Sequence, residues 1–195
     1  LEIINNNKGA KAPTKNNDMK RIKLLKWEKE SLKAYDKYTS KWMWVFCKGR
    51  QFRLGLYTIE AIEDEQNSAY YLQGGMKNKI KNKRFTTLES AQKYANKHYA
   101  KEVANEFSTL EIKWEDYNEY NNQIYPTFRP SASTIMPWVS TIPLEDKSGY
   151  YFYARNYWNY HSSKREKLGV HAEREEVKRM AEEWYKKTLF SVFYE

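Results

Sequence analysis

YYFYARNYWNY, residues Tyr150–Tyr160, is the densest run of ring-bearing side chains in the chain. Read as a strand, it sends successive side chains to opposite faces. Tyr150, Phe152, Ala154 and Trp158 then share one face, and Tyr151, Tyr153, Arg155 and Tyr157 share the other. One face can be covered by the protein's own core. The second is three phenols and a guanidinium, a surface that an outside molecule can occupy. Nothing in the run specifies a reaction.

Working outward, Tyr125–Pro143 contains four of the five prolines, Pro126, Pro130, Pro137 and Pro143, and has neither helical nor strand period, which predicts a long loop. On the other side a polar hairpin, His161–Lys167, leads to a predicted helix over Ala172–Leu189. Its inner stripe is Val177, Met180, Ala181, Trp184 and Thr188, and Phe190–Tyr194 ends the chain as a short apolar strand or hook. A second helix is predicted over Thr86–Val103. Thr86 and Glu89 have capping-box spacing, and Leu88, Ala91, Ala95, Tyr99 and Val103 form one apolar stripe. Strands are predicted at Trp42–Lys48, Gly55–Ile62, Ala69–Gln73 and Thr109–Trp114, and a short helix at Glu28–Tyr38. Leu1–Asp18 has no apolar period and reads as a flexible leader or linker.

Four landmarks recur at similar spacing. Trp27-Glu28 and Trp114-Glu115, Tyr70-Tyr71 and Tyr150-Tyr151, Ala95 and Ala181, Tyr99 and Tyr185 are offset by 87, 80, 86 and 86 residues. The expected architecture is therefore α+β, with two pseudo-repeated units, 19–108 and 109–195, each a small antiparallel sheet with one amphipathic helix packed on a face.

The charge is uneven. Residues 1–53 hold 14 Lys and Arg against 5 Asp and Glu, while residues 54–195 hold 20 of each. Lys77–Arg84, KNKIKNKR, contributes Lys77, Lys79, Lys81, Lys83 and Arg84 with no acid. Such a ribbon either keeps an edge strand from pairing with other chains or tracks phosphates. A second basic connection carries Lys164, Arg165 and Lys167. Both connections precede a helix N-terminus, where unpaired N–H groups favour anions.

Sites for chemistry are not legible. One cysteine, Cys47, and three histidines give neither a disulfide framework nor a zinc spacing. Cys47 sits in an apolar run and reads as a buried hydrophobe; His98 reads as a structural histidine on the first helix. No cofactor motif or membrane span is present. These features point away from an enzyme and towards a protein that works in a reducing cytoplasm.

The residues Trp27-Glu28, then Gly55, Tyr57 and Ile59 as G-x-Y-x-I, then Phe85, Thr87, Leu88, Glu89 and Ala91 as F-x-T-L-E-x-A, resemble small uncharacterised domains common in bacteriophage and prophage genomes. The resemblance spans residues 20–103. The second half keeps the shape at Gly149–Phe152 and Val170–Ala181 but loses the T-L-E signature. The resemblance implies a viral accessory protein in a bacterial host cell and carries over no catalytic residue. Two partners fit the residues: nucleic acid or a nucleic-acid-containing host complex, and a host defence or replication protein inhibited directly. The candidate contacts are the lysines and arginines named above with Tyr151, Tyr153, Arg155 and Tyr157.

Overall fold

The computed structural model describes residues 21–64, 67–116, 122–130, 138–155 and 166–195. In chain order the elements are β1 (Trp27–Ser31), β2 (Asp36–Ser40), β3 (Met43–Cys47), β4 (Arg50–Leu54), β5 (Tyr57–Asp64), β6 (Asn67–Gly74), β7 (Ile80–Phe85), α1 (Leu88–Ser108), β8 (Ile112–Asp116), β9 (Asn122–Pro126), β10 (Phe128–Pro130), β11 (Trp138–Pro143), β12 (Tyr150–Arg155), β13 (Glu166–His171) and α2 (Arg174–Phe193). They assemble into a five-stranded sheet β1-β2-β5-β6-β7, a three-stranded sheet β10-β3-β4 and a five-stranded sheet β13-β12-β11-β9-β8.

This corrects the expected pair of sheet-plus-helix units. The described residues are mostly β, 47% strand against 28% helix, and among them are three sheets and only two helices. The physical reason is the small sheet. β10, from the second half, pairs antiparallel with β3 from the first, Phe128 opposite Cys47 and Pro130 opposite Val45. That ladder stitches the halves together, so neither closes its core alone.

Three local expectations change with it. Glu28–Tyr38 is a hairpin of β1 and β2, not a helix: Trp27 lies opposite Ser40, and Lys29 pairs with Asp36 at 2.5 Å. The proline-rich stretch contributes β9, β10 and β11 instead of one loop. Its prolines permit this because Pro126, Pro130 and Pro143 stand at strand ends, where a missing N–H costs little. Arg50–Leu54, outside the predicted strands, is β4, paired with β3 along its whole length.

The N-cap of α1 is Thr87, one residue later than the expected Thr86. Thr87 Oγ1 accepts from the N–H of Ser90 at 3.1 Å, a standard N-cap contact. Its stripe Ala91, Ala95, Tyr99 and Val103 is buried, and the two alanines let the helix approach β5, β6 and β7. α2 lies against β11, β12 and β13, buries Val177, Ala181, Tyr185, Leu189 and Phe193, and continues to Phe193 where a short terminal strand or hook was expected. The helices meet at their C-terminal ends. Phe107 of α1 contacts the rings of Phe190, Phe193 and Tyr194 at the end of α2 and Phe128 of β10, all at centroid distances of 5.3–5.9 Å. Burying side chains of this size contributes roughly 1.5–3 kcal/mol each, which makes the junction a major fastening of the core.

Candidate functional site

The β3–β4 hairpin has two unlike faces. Val45 and Cys47 of β3 and Leu54 of β4 are buried. Trp44 and Phe46 alternate with them and so occupy the opposite face. Register sets Trp44 across from Arg53, and Phe46 between Gln51 of β4 and Arg129 of β10. The Arg53 guanidinium lies 5.1 Å from the Trp42 ring centre and 5.0 Å from that of Trp44, while the two indoles meet edge to face at 5.3 Å. Arg129 stands over Phe46 at 5.1 Å. Trp42 and Trp44 remain 38% and 37% exposed, a large apolar area left to solvent. A cation held over an aromatic face gains about 0.5–1 kcal/mol at such exposed positions and keeps its N–H donors for an anion.

Arg53 also walls a cavity of about 400 Å³, which it shares with Leu56, Thr58, Gln73, Lys77 and Asn78. The rim is the Gly74–Asn78 connection. Four of its residues have positive φ: Gly74 (127°), Gly75 (85°), Lys77 (66°) and Asn78 (51°). Gly74 has no substitute, because a Cβ there would strike the backbone of Leu56; at Gly75 it would fall 2.9 Å from the His98 ring. The connection is pinned by its own main chain. Gly75 N–H donates to Leu56 O and Asn78 N–H to Gly75 O, both at 2.9 Å.

A third tie comes from α1. The N–H of buried Met76 donates to Glu102 Oε2 at 3.1 Å, and the Tyr57 hydroxyl donates to the same oxygen at 3.1 Å. Tyr57 Oη also lies 2.9 Å from Nδ1 of His98. Since the single phenol proton goes to the carboxylate, Nδ1 carries the hydrogen of that contact. Burial raises the Glu102 carboxyl above the ordinary glutamate range, against the lowering effects of the Met76 N–H, His98 and Tyr57. Burial likewise pushes the Tyr57 phenol far up. With Tyr57 and Glu102 both buried, the set functions as a brace under the cavity rim. Cys47 is inert by the same logic. Burial and its S–H donation to Glu106 Oε2 (2.8 Å) push the thiol up to about 11.

The expected contact residues divide into groups. Lys77, Lys79, Lys81, Lys83 and Arg84 are exposed, and the last three lie on β7, an edge strand. β7 starts at the cavity rim, where Ile80 pairs with Gly74. Lys83 is turned onto the Tyr94 ring, 4.0 Å from its centre, and Lys77 onto Phe52 at 5.3 Å. The expected aromatic platform is different. Phe152 of β12 is buried and packs on Trp184, as anticipated for its face, but Tyr153 on the other face is also buried, 7% exposed, and lies 6.3 Å from half-buried Tyr151. Tyr157, Lys164 and Arg165 fall outside the described residues, as do the side chains of Arg155 and Lys167.

Periodicity missed Trp42, Trp44 and Arg53 as a site. The signal was present as W-x-W-x-F, Trp42, Trp44 and Phe46, in alternation with Met43, Val45 and Cys47: a strand with apolar side chains on both faces, the same criterion applied to Tyr150–Tyr160. Among the described residues no three His, Cys, Asp or Glu side chains gather as a metal ion requires, and no helix is long and apolar enough to cross a membrane. No protein-family model, curated protein or solved structure matches the chain.

Proposed function

We propose that the protein is a non-enzymatic accessory protein of the bacteriophage type, acting in the cytoplasm of a bacterial host by occupying nucleic acid or a nucleic-acid-containing host complex with a basic and aromatic surface. The observation that supports it is charge segregation. Residues 41–59 and 67–88, which supply β3, β4, β6, β7 and the start of β5, contain Lys41, Lys48, Arg50, Arg53, Lys77, Lys79, Lys81, Lys83 and Arg84 and not one Asp or Glu. Cations in excess over acids along these strands attract a polyanion and release its counterions on contact. Trp42, Trp44 and Arg53 then add stacking surface beside that field, and the resemblance over residues 20–103 supplies the viral setting.

The test is a salt titration with short DNA and RNA. Binding should weaken steeply as salt rises. The triple variant Lys77→Glu, Lys79→Glu, Lys81→Glu should weaken binding at every salt concentration and flatten the log–log slope by about 0.7–0.9 for each phosphate no longer neutralised. All three side chains are exposed, so the fold is retained. A flat response, or no binding at low salt, rejects the reading. Trp and Arg also dominate protein-binding hot spots, so a host protein captured in a nuclease-resistant complex, and released by Trp42→Ala with Trp44→Ala, would replace it with direct inhibition of a host defence or replication protein.

A further inference from the structure

We infer that the cavity beside Arg53 receives an unpaired nucleotide, and that the protein therefore selects single strands over duplex. This rests on the nucleic-acid reading above and adds to it the form of nucleic acid taken. The carrying observation is that one residue, Arg53, belongs to two neighbouring features: its guanidinium lies over the Trp42 and Trp44 rings, and it lines the cavity together with a second cation, Lys77, and neutral hydrogen-bonding groups.

The parts answer to the parts of a nucleotide. Lys77 and Arg53 are exposed cations on the cavity wall and suit the phosphate. Thr58 and Gln73, directly opposite one another on β5 and β6, and Asn78 across the rim offer donors and acceptors that carry no charge, the chemistry that reads a base edge. Leu56 gives an apolar side. A volume of about 400 Å³ lies within the range of sites that take a small organic ligand, about 300–1,000 Å³.

Duplex geometry does not fit this arrangement. In a double helix the ring faces are stacked on one another and the pairing edges are turned inward, so neither the indoles nor a concavity can reach them. Unpaired bases can be splayed, stacked on aromatic rings and read along the edge. Trp42 and Trp44 meet nearly at right angles, 87°. A base on one indole therefore has its neighbour directed away from the parallel stack of a duplex.

Preorganisation favours the same conclusion. Lys77 and Asn78 are non-glycine residues held at positive φ, a conformation that is disfavoured without local compensation. The compensation is the brace of Met76 N–H on Glu102 and the two main-chain bonds from Gly75 and Asn78. A rim fixed in this way does not have to be ordered when a ligand arrives.

The experiment uses the full chain and one fluorescein-labelled 12-residue oligonucleotide, presented alone and annealed to its complement, with free nucleoside monophosphate as a third probe, read by anisotropy at fixed salt. The single strand should bind at least tenfold more tightly than the duplex. Trp42→Ala with Trp44→Ala should weaken single-strand binding by about 10- to 100-fold and leave duplex binding nearly unchanged. Gln73→Ala with Asn78→Gly should reduce the preference for single strand without altering the salt slope; Asn78→Gly is chosen because glycine tolerates the positive φ. Equal affinity for both forms, unmoved by the tryptophan changes, overturns the inference and leaves the nucleic-acid reading standing. Monophosphate competing as well as the oligonucleotide, mole for mole, also overturns it by making free nucleotide the occupant. Absence of binding to all three probes removes both.

Discussion

The fully buried stripe of helix α1 includes two carboxylates, where that of α2 is hydrocarbon and one phenol without a partner among the described residues; the polar contact of α2 with its sheet, Glu182 accepting from the Trp114 indole, lies at a half-buried margin. The helices are 21 and 20 residues long and each lies across the strands of a five-stranded sheet. The inner stripe of α1 includes Glu102 and Glu106 among Ala91, Ala95, Tyr99 and Val103; that of α2 is Val177, Ala181, Tyr185, Leu189 and Phe193. The difference follows from what each helix covers. α1 lies over the Gly74–Asn78 connection, whose main-chain N–H at Met76 needs an acceptor, and over the Cys47 thiol. α2 lies over paired strands, whose ladder shifts register between Phe152 and Tyr153, and Phe152 and Gly169 meet it by close contact: a Cβ on Gly169 would fall 2.5 Å from the Phe152 ring and 2.6 Å from Met180. A main-chain N–H that faces a helix without a ladder partner, as at Met76, demands a polar acceptor. The polar side is also the side that shapes the cavity.

The largest expected effect lies on the apolar side. Phe193 is fully buried, 5.8 Å from the Phe107 ring and 5.5 Å from that of Phe128, so it couples α2 to α1 and to β10. Phe193→Ala should cost about 3–5 kcal/mol and lower Tm by about 6–20 °C. A thermal melt followed by near-ultraviolet circular dichroism measures it. A shift below about 2 °C would mean that the two helices do not share a core.

A matched pair of smaller changes tests the comparison directly. Tyr57 and Tyr185 are both buried, at 0% and 3% exposure, and burial raises both phenols. Tyr57 donates to Glu102, whereas the Tyr185 hydroxyl finds no partner among the described residues. Removing the same oxygen should therefore have opposite signs. Tyr57→Phe strips a donor from a buried carboxylate and should destabilise by about 1.5–3 kcal/mol; Tyr185→Phe removes an uncompensated polar group and should be neutral or stabilising by up to about 1 kcal/mol. Urea midpoints at constant m report both values. Losses of equal size would erase the distinction between the helices.

Legibility in the sequence follows the range of the forces involved. α1 and α2 are written in local period: Ala91, Ala95, Tyr99 and Val103 recur on one stripe and are buried. The α2 stripe came out rotated, because Met180 and Trp184 outweigh Tyr185 in hydrophobicity while the sheet in fact faces Tyr185 and Leu189. β10 had no local signal at all. Three residues ending in Pro130 become a strand only because β3 offers them an edge, a pairing across more than 80 positions. The site was half legible. The alternating lysines of 77–83 announced an exposed edge, but the convergence of Trp42, Arg53 and Lys77 depends on register, which local period does not encode. The Tyr150–Arg155 ribbon misled for the complementary reason. Alternation gives a residue its face, and only the rest of the chain decides that Tyr153 is covered.

The smallest effect concerns the sign of a pH dependence, and it isolates what the carboxylate costs the polar side. Burial raises Glu102 in the folded chain above its ordinary value of 4.5. A carboxyl that binds its proton more tightly when folded makes the folded state gain stability as protons are added. Below the unfolded value both states are protonated and this contribution is flat. As pH rises from 4.5 through the raised folded value stability is lost, and above that value the full penalty is present. Glu102→Gln keeps an oxygen to accept from Met76 N–H and from Tyr57 but cannot ionise. Relative to the parent, the variant should gain stability across that interval and reach a plateau about 1 kcal/mol higher above it. Tyr57, His98 and Lys79 all act on this carboxyl and remain in both proteins, so the difference between the two Tm–pH curves reports Glu102. A variant that loses stability steadily as pH rises would show that the neighbouring imidazole and ammonium outweigh burial. The buried charge would then strengthen the rim instead of weakening it.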